Sequence, residues 1–412
     1  MRFTFIHAAD LHIDSPLAGL GLKDAAVAAR FSEAGRRAVK SLIQTTIDSN
    51  AAFLIIAGDI FDGSWKDVTT GLFFVSAIAD LHRAGIPTIM VKGNHDAESV
   101  VTRALPYPDS VHTFDVKKAG THRLEQHRVA LHGRSFAARN VPDDFVASYP
   151  ARVDGWLNIG VLHTALDGTR GHASYAPCTV DDLNRFGYDY WALGHIHARE
   201  IVSQNPWIVY PGVLQGRSVR ETGAKGAERV TVEDGKIISV EQIVLDGARW
   251  AHESVDISSC ADVSDVLDRV GVTLDAAHAQ AGGRALAIRL SLKGITPLHD
   301  QLVARRDIIL DDARALGFRL AEDCWVEAIK LATVPPVHRA VVAADAEVLD
   351  IGALLASSAD EPEFRDDIAA LIKEIKDKLP PDLHEEFSAD EAELTVQIEM
   401  LARAHLAGSL AS

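Results

Sequence analysis

Residues 191–200 read WALGHIHARE, an apolar run that ends in two histidines on either side of one isoleucine. Side chains two apart in an extended segment point the same way. His195 and His197 can therefore offer two ring nitrogens to one place. Four earlier apolar runs end in similar fashion. The first leads into AADLHID and delivers Asp10 and His12; FLIIAGDIFD delivers Asp59 and Asp62. PTIMVKGNHD delivers Asn94, His95 and Asp96, and LNIGVLHT delivers His163. Any one of these residues could do no more than satisfy a turn. Five such ends form a pattern, and glycine stands directly before Asp59, Asn94 and His195. Glycine permits a sharp turn and close backbone approach.

Carboxylate, imidazole and amide donors without a thiolate suit a divalent ion of intermediate hardness, Mn2+ first, with Fe or Zn as alternatives. Seven such donors are too many for one ion and match two ions that share a carboxylate. A pair of metals ~3.5–4 Å apart can clamp the attacking and leaving oxygens of an in-line displacement at phosphorus. Asp59, central in chain order, is the natural bridge. His95, beside a ligand, is then free for acid catalysis.

These residues need a scaffold that gathers them. FLIIAGD and its counterparts are short, nearly continuous apolar runs, as expected of strands buried on both faces. Helical stretches such as EAGRRAVKSLIQTTIDSN lie between the early ones, so the first 215 residues alternate strand and helix. Sites in open α/β sheets form at the carboxyl ends of strands. The five ends are therefore expected along one edge of the sheet. VTVEDGKIISVEQIVL reads as a hairpin turning at Asp234-Gly235.

The pattern changes near residue 246. WAHESVDIS and RALAIRLSLKG, a helix between them and a longer helix over 298–316 predict a small α+β domain over 246–334. VPP at 334–336 marks its end. Beyond it, Ile368, Leu371, Ile372, Ile375 and Leu379 follow helical spacing. PPD breaks that helix, and Leu394, Ile398 and Leu401 mark a second. The segment 335–412 is thus an acidic helical tail that packs on its own chain or docks a partner.

Composition sets further bounds. The chain has 412 residues, 47% hydrophobic and 24% charged, enough for two or three domains. No run reaches the ~18 apolar residues of a membrane span, and the N-terminus lacks the apolar stretch of a secretion signal. Cys178, Cys260 and Cys324 lie far apart, which fits a reducing cytoplasm. The net charge of −17 is unusual for a nucleic-acid protein, but residues 336–412 hold 17 acidic and six basic side chains. Acidity therefore mostly describes the tail. The loop GRSVRETGAKG offers Arg217, Arg220 and Lys225 either as phosphate contacts or as a solvated surface.

D-x-H, GD-x-x-D, GNH(D/E), a later His and GH-x-H, in this order, resemble the calcineurin-like metallophosphoesterases over roughly residues 1–245. HAADLHIDSPL, YAPC, GYDYWALGHIH and YPGVLQGR are similar to the bacterial DNA-repair nuclease subunits of SbcD and YhaO type. The resemblance implies an α/β fold: a two-sheet sandwich flanked by helices, a small capping domain and a helical tail. It implies Asp10, His12, Asp59 and His197 on one metal, and Asp59, Asn94, His163 and His195 on the other. His95 would be the general acid and Asp62 its orienting partner. It also implies hydrolysis of DNA as an exonuclease or endonuclease, an SMC-like coiled-coil ATPase docked by the C-terminal segment, and homodimerisation. Val213 departs from the pattern where relatives carry a small polar residue, a change expected to alter a substrate contact. A phosphatase or cyclic-nucleotide phosphodiesterase could use the same core, but the cap-like domain and tail argue against it. A non-cutting scaffold that bridges an ATPase to DNA would have no use for an intact ligand set.

Overall fold

The computed structural model describes residues 1–15, 25–62, 68–98, 105–138, 146–166 and 178–336, with a few positions between 366 and 378. The helices expected from Ile368 to Leu401 lie outside the described residues, apart from positions such as Leu371, which is helical and exposed. Among the described residues no helix is long and apolar enough to cross a membrane.

The chain is mixed α/β. One six-stranded sheet contains β1 (Arg2–Ala8), β2 (Leu54–Ala57), β3 (Thr88–Val91), β4 (Val111–Thr113), β11 (Gly226–Glu233) and β12 (Lys236–Val244), in the order β12-β11-β1-β2-β3-β4. A second contains β5 (Gly120–Leu124), β6 (Val129–Gly133), β7 (Leu157–His163), β8 (Tyr190–Gly194), β9 (Glu200–Gln204) and β10 (Trp207–Tyr210), in the order β5-β6-β7-β8-β10-β9. The centre of each sheet is parallel, β1-β2-β3-β4 in the first and β6-β7-β8-β10 in the second. The antiparallel strands lie at the edges. The hairpin β11–β12 turns at Asp234-Gly235, both at positive φ (49° and 77°), as its two-residue loop requires.

Every residue of β2, β3, β7 and β8 is buried. The reason is that both faces of each sheet are covered. Phe5, Phe53, Ile55, Ile89 and Val91 of the first sheet's side pack with Leu131, Ile159, Val161, Tyr190 and Val209 in one core between the sheets. On the outer face of the first sheet, Ile6, Leu54, Ile56 and Met90 meet the helices α1 (Ala25–Asp48) and α2 (Val68–Arg83). Helix α1 presents Ala38, Val39, Leu42 and Ile43 at i, i+1, i+4 and i+5, the stripe that an amphipathic helix buries. Trp191, Leu193, Ile208 and Tyr210 form the outer core of the second sheet with Tyr149, Leu183 and Tyr188.

The chemistry-bearing ends do not lie along one edge of a single sheet. The ends of β1, β2 and β3 belong to the first sheet, those of β7 and β8 to the second, and β4–β6 intervene in the chain. The stacking of the sheets brings the two sets of ends together. The later strands β13 (Ala248–Asp256), β14 (Ala285–Ile295) and β15 (Cys324–Val334) form a three-stranded sheet. By compactness the chain divides into one unit of Met1–His252, Asp275–Arg289 and Phe318–Glu327 and another of Glu253–Leu274, Leu290–Gly317 and Ala328–Ser412. The single helix expected over 298–316 is two, His299–Ala304 and Arg306–Leu320. The chain leaves helical geometry at Arg305 (φ −115°), and the next side chain, Arg306, donates to the carbonyl of Ile329 at 3.1 Å.

Candidate metal centre

Four of the residues singled out by sequence sit on left-handed backbone: Asp10 (φ 50°), His12 (42°), Asp59 (53°) and His195 (97°). Such conformations cost about 1–3 kcal/mol each and persist only where the surroundings over-determine them. Here the turns lock one another. The N–H of Asp10 donates to Gly58 O at 3.0 Å, and that of His12 to Asp59 O at 3.1 Å. The N–H of His195 donates to both carboxylate oxygens of Asp10, at 3.1 and 3.0 Å. Asp96 is buried and accepts the N–H groups of Ile60, Phe61 and Gly93 at 3.0–3.1 Å, which ties the turn after β2 to the turn after β3. Burial, and then the Asp59 charge, push its carboxyl up to about 7 against those three donors. Asp14 accepts Arg36 through two guanidinium nitrogens and Thr70 Oγ1 at 2.6 Å, which anchors the loop after β1 to α1 and α2.

Glycine is required where these turns touch. A Cβ on Gly194 would lie 2.0 Å from Ala57 O, so β8 could not approach β2 with any larger residue there.

The geometry fixes which ring nitrogens face inward. His12 donates Nδ1–H to Asp62 Oδ1 at 2.6 Å, and His197 donates Nδ1–H to Glu221 Oε1 at 2.7 Å. With the protons on Nδ1, the Nε2 atoms carry lone pairs, and these two Nε2 atoms face each other at 3.3 Å. Two lone pairs so placed call for a positive charge between them. Ligand atoms of Asp10, His12 and His197 lie within 4.8 Å of one another, and so do those of Asp59, His163 and His195. His163 donates Nδ1–H to Ala57 O at 2.9 Å and turns Nε2 to Asn94 Oδ1 at 2.9 Å and Asp59 Oδ2 at 3.4 Å. Asp59 Oδ2 is also 3.8 Å from His12 Nε2, so this carboxylate stands between the two groups. A third grouping, His12, Asp62 and His95, is a hydrogen-bonded set, because its His12 nitrogen is already given to Asp62.

The electrostatics follow from burial and proximity. Asp10, His12, Asp59, Asn94, His163 and His195 are all buried. Burial alone would raise Asp59, but His163, His12 and His95 hold its carboxyl well below the ordinary range. Burial does raise Asp10, against the pull of His163 and His197. Burial would lower His163, yet Asp59 and Asp10 raise it to about 9. Nitrogen and oxygen donors around two buried carboxylates, with imidazoles oriented by second partners, fit two divalent cations.

All seven candidate ligands therefore gather at the junction of the two sheets. Asp62 does not act on His95 alone: its Oδ1 is 2.6 Å from His12 Nδ1 and 3.5 Å from His95 Nδ1. Glu221 was not anticipated. It lies in a loop of basic residues, where its spacing four after Arg217 is the one local signal of a pair. Arg217 reaches the site: Nη2 is 3.2 Å from Glu221 Oε1 and Nη1 is 3.7 Å from Asp62 Oδ1. Arg220 is exposed, and Lys225 is half-buried. Val213 is fully buried and bridges Ala9, so its side chain belongs to the core and not to a substrate surface.

Comparison with known proteins adds independent findings. Residues 3–199 match the calcineurin-like phosphoesterase family, and residues 250–334 match the middle domain of metallophosphoesterase YhaO. The chain is similar to the uncharacterized metallophosphoesterase YhaO of Bacillus subtilis (strain 168), 34% identical over 298 residues that span 71% of this chain and 72% of that one. It is also similar to the DNA double-strand break repair protein Mre11 of Methanopyrus kandleri, 25% identical over 60% of this chain and 57% of the relative. Among solved structures, a dimetal phosphatase from Danio rerio aligns over 55% of this chain and 92% of its own, with TM-score 0.34 and 12% identity.

Proposed function

This chain belongs to the calcineurin-like phosphoesterase family, and we propose that it is a dinuclear-metal phosphodiesterase that hydrolyses DNA. The observation that carries the reading is the pair of opposed Nε2 atoms of His12 and His197, each with its Nδ1 proton committed to a carboxylate. Asp10, His12, Asp59 and His197 would hold one ion, and Asp59, Asn94, His163 and His195 the other. Manganese suits this nitrogen and oxygen set. When bound, the ions would supply an activated water and neutralise charge on the phosphate.

The remaining chemistry belongs to the chain. His95 has a side chain one-third exposed at the rim, while its backbone N–H donates to Asp59 Oδ1 at 3.0 Å. That tether would hold the imidazole beside the metal pair, where it can give a proton to the departing sugar oxygen. Asp62 Oδ1, 3.5 Å from His95 Nδ1, would help to orient the ring.

DNA as substrate is supported by the likeness to a protein named for double-strand break repair. The apolar stripe from Ile368 to Leu379 would dock an SMC-like coiled-coil ATPase, and a homodimer is part of the same reading. Three buried cysteines, none of them in a disulfide, are compatible with a cytoplasmic setting. The test is hydrolysis by the purified chain with Mn2+ on linear duplex DNA, a nitrophenyl phosphodiester and a phosphomonoester. Cleavage of DNA and the diester is expected. Turnover of the monoester alone would overturn the reading in favour of a phosphatase.

A further inference from the structure

We infer that Arg217 is a positioning residue for one of the two metal ions and not for the other, acting as a strut between the carboxylates that orient His12 and His197. The inference rests on the dinuclear reading above and deepens it.

Both histidines belong to the group with Asp10, and both have their outer nitrogen on a side-chain carboxylate: His12 on Asp62, His197 on Glu221. One guanidinium lies between those carboxylates. Arg217 Nη1 is 3.7 Å from Asp62 Oδ1 and donates to Ser15 Oγ at 3.4 Å, while Nη2 donates to Glu221 Oε1 at 3.2 Å. The backbone N–H of the same residue donates to Glu221 Oε2 at 2.6 Å, so Glu221 is held through both oxygens. Nη2 is also 3.2 Å from His197 Nδ1, but both atoms carry protons, and both give them to Glu221 Oε1. The side chains of Asp62, Glu221 and Arg217 are only 13%, 11% and 24% exposed.

Two carboxylates at that depth, one behind each imidazole, are both reached by the Arg217 guanidinium. A planar fork can serve both at once, which a point charge on a flexible stem cannot. The other group is built differently. His163 has its outer nitrogen on Ala57 O, a backbone carbonyl at the end of β2, fixed by the sheet and indifferent to Arg217. Loss of the strut should therefore loosen one ion and leave the second in place. Partners behind metal-bound histidines typically matter by 10- to 100-fold in affinity, on the order of what removal of this strut should show.

The experiment is titration of the metal-free full chain with Mn2+ alone, read by calorimetry and by electron paramagnetic resonance, for wild type, Arg217→Ala, Arg217→Lys and Glu221→Gln. Wild type should take two ions and give the spectrum of a coupled pair. Arg217→Ala and Glu221→Gln should bind one ion as before and the second about 10- to 100-fold more weakly, with a single-ion spectrum at one equivalent. Arg217→Lys should recover only part of the loss. Thermal unfolding of the metal-free proteins reports any general loss of fold, and Glu221→Gln, nearly isosteric, keeps the test available if Arg217→Ala unfolds. Equal weakening of both ions, no weakening of either, or full recovery with lysine would overturn the inference. A wild-type chain that binds fewer than two ions would instead remove the dinuclear reading itself.

Discussion

A Cβ on Gly93 would lie 2.2 Å from Asp59 Oδ1, so the turn after β3 can press against the central carboxylate only because that residue has no side chain. Asp59 in turn lies near both groups of imidazoles, 3.8 Å from His12 and 3.4 Å from His163. Gly93→Ala must therefore push Asp59 away from one group, the other, or both. It should reproduce the phenotype of Asp59→Asn, in which a neutral amide makes a poor bridge between cations. Both variants should lose both ions on dialysis, and hydrolysis should fall about 10²-fold or more. Metal content by mass spectrometry is the measurement. Two ions retained by Asp59→Asn would remove it as the bridge.

The residue types at the centre were legible in the sequence; their assembly was less so. Gly-Asp, Gly-Asn and Gly-His at the ends of apolar runs are local signals, since close approach and metal ligation both leave their mark on residue identity. The split of the five ends between two sheets is a matter of strand pairing, set by side chains far apart in the chain. GTHRL of β5 is mostly polar and VALHG of β6 is short, so neither announces that a second sheet begins there. The left-handed turns at Asp10, His12, Asp59 and His195 were equally hidden, because only the mutual hydrogen bonds hold them. Glu221 escaped notice because a carboxylate that orients a ligand has no fixed spacing from it. Asp62 was visible as a second-layer carboxylate, but its closer partner, His12, lies 50 residues away.

The pH dependence of stability should carry the signature of His7. This ring is fully buried between the sheets, with Nδ1 3.0 Å from Tyr190 Oη and Nε2 3.2 Å from Leu193 O. Burial lowers its pKa to about 3, against the bond to Leu193. The folded value lies below the unfolded one of about 6.5. The stability due to the neutral ring is therefore fully present above about pH 6.5 and is lost as pH falls towards 3, by up to ~1.4 kcal/mol per pH unit. In urea unfolding at pH 7 and pH 5, His7→Gln should lose about 2 kcal/mol less stability between the two than wild type does. An unchanged pH difference would show that the ring does not stay neutral in the fold.

Arg199 and Glu228 form a pair that links the segment after GHIH to β11. The guanidinium donates Nε to Oε1 at 2.5 Å and Nη2 to Oε2 at 3.0 Å, and Glu228 is fully buried. Removing one partner of such a pair leaves a buried charge without compensation, at a cost of roughly 3 kcal/mol. Burial already raises the pKa of Glu228, with Arg199 opposing it. Arg199→Met should thus destabilise most near neutral pH and less in acid, where Glu228 takes up a proton. Glu228→Gln combined with Arg199→Met should be more stable than Arg199→Met alone. Denaturant midpoints at two pH values decide the point, and a pH-independent loss would mean that packing, not charge, is what Arg199 contributes.

His95 should behave as an acid for the leaving group. A sugar alkoxide departs poorly without a proton, and a positioned general acid contributes typically 10²- to 10⁴-fold. The geometry gives His95 the means: a backbone N–H fixed on Asp59 Oδ1 at 3.0 Å, a ring stacked edge-on against His12 at 5.2 Å, and Asp62 beside Nδ1 at 3.5 Å. Because His95 is not one of the seven candidate ligands, His95→Ala should keep both metals and DNA binding while losing most cleavage. Asp62→Asn should act twice, through the orientation of His95 and through its 2.6 Å bond to His12, so it should weaken one metal as well as turnover. The discriminating substrate is a diester with a nitrophenolate leaving group, which needs little protonation. On it, His95→Ala should recover much of the deficit seen with DNA. An equal deficit on both substrates would show that His95 contacts the phosphate instead of protonating the leaving oxygen.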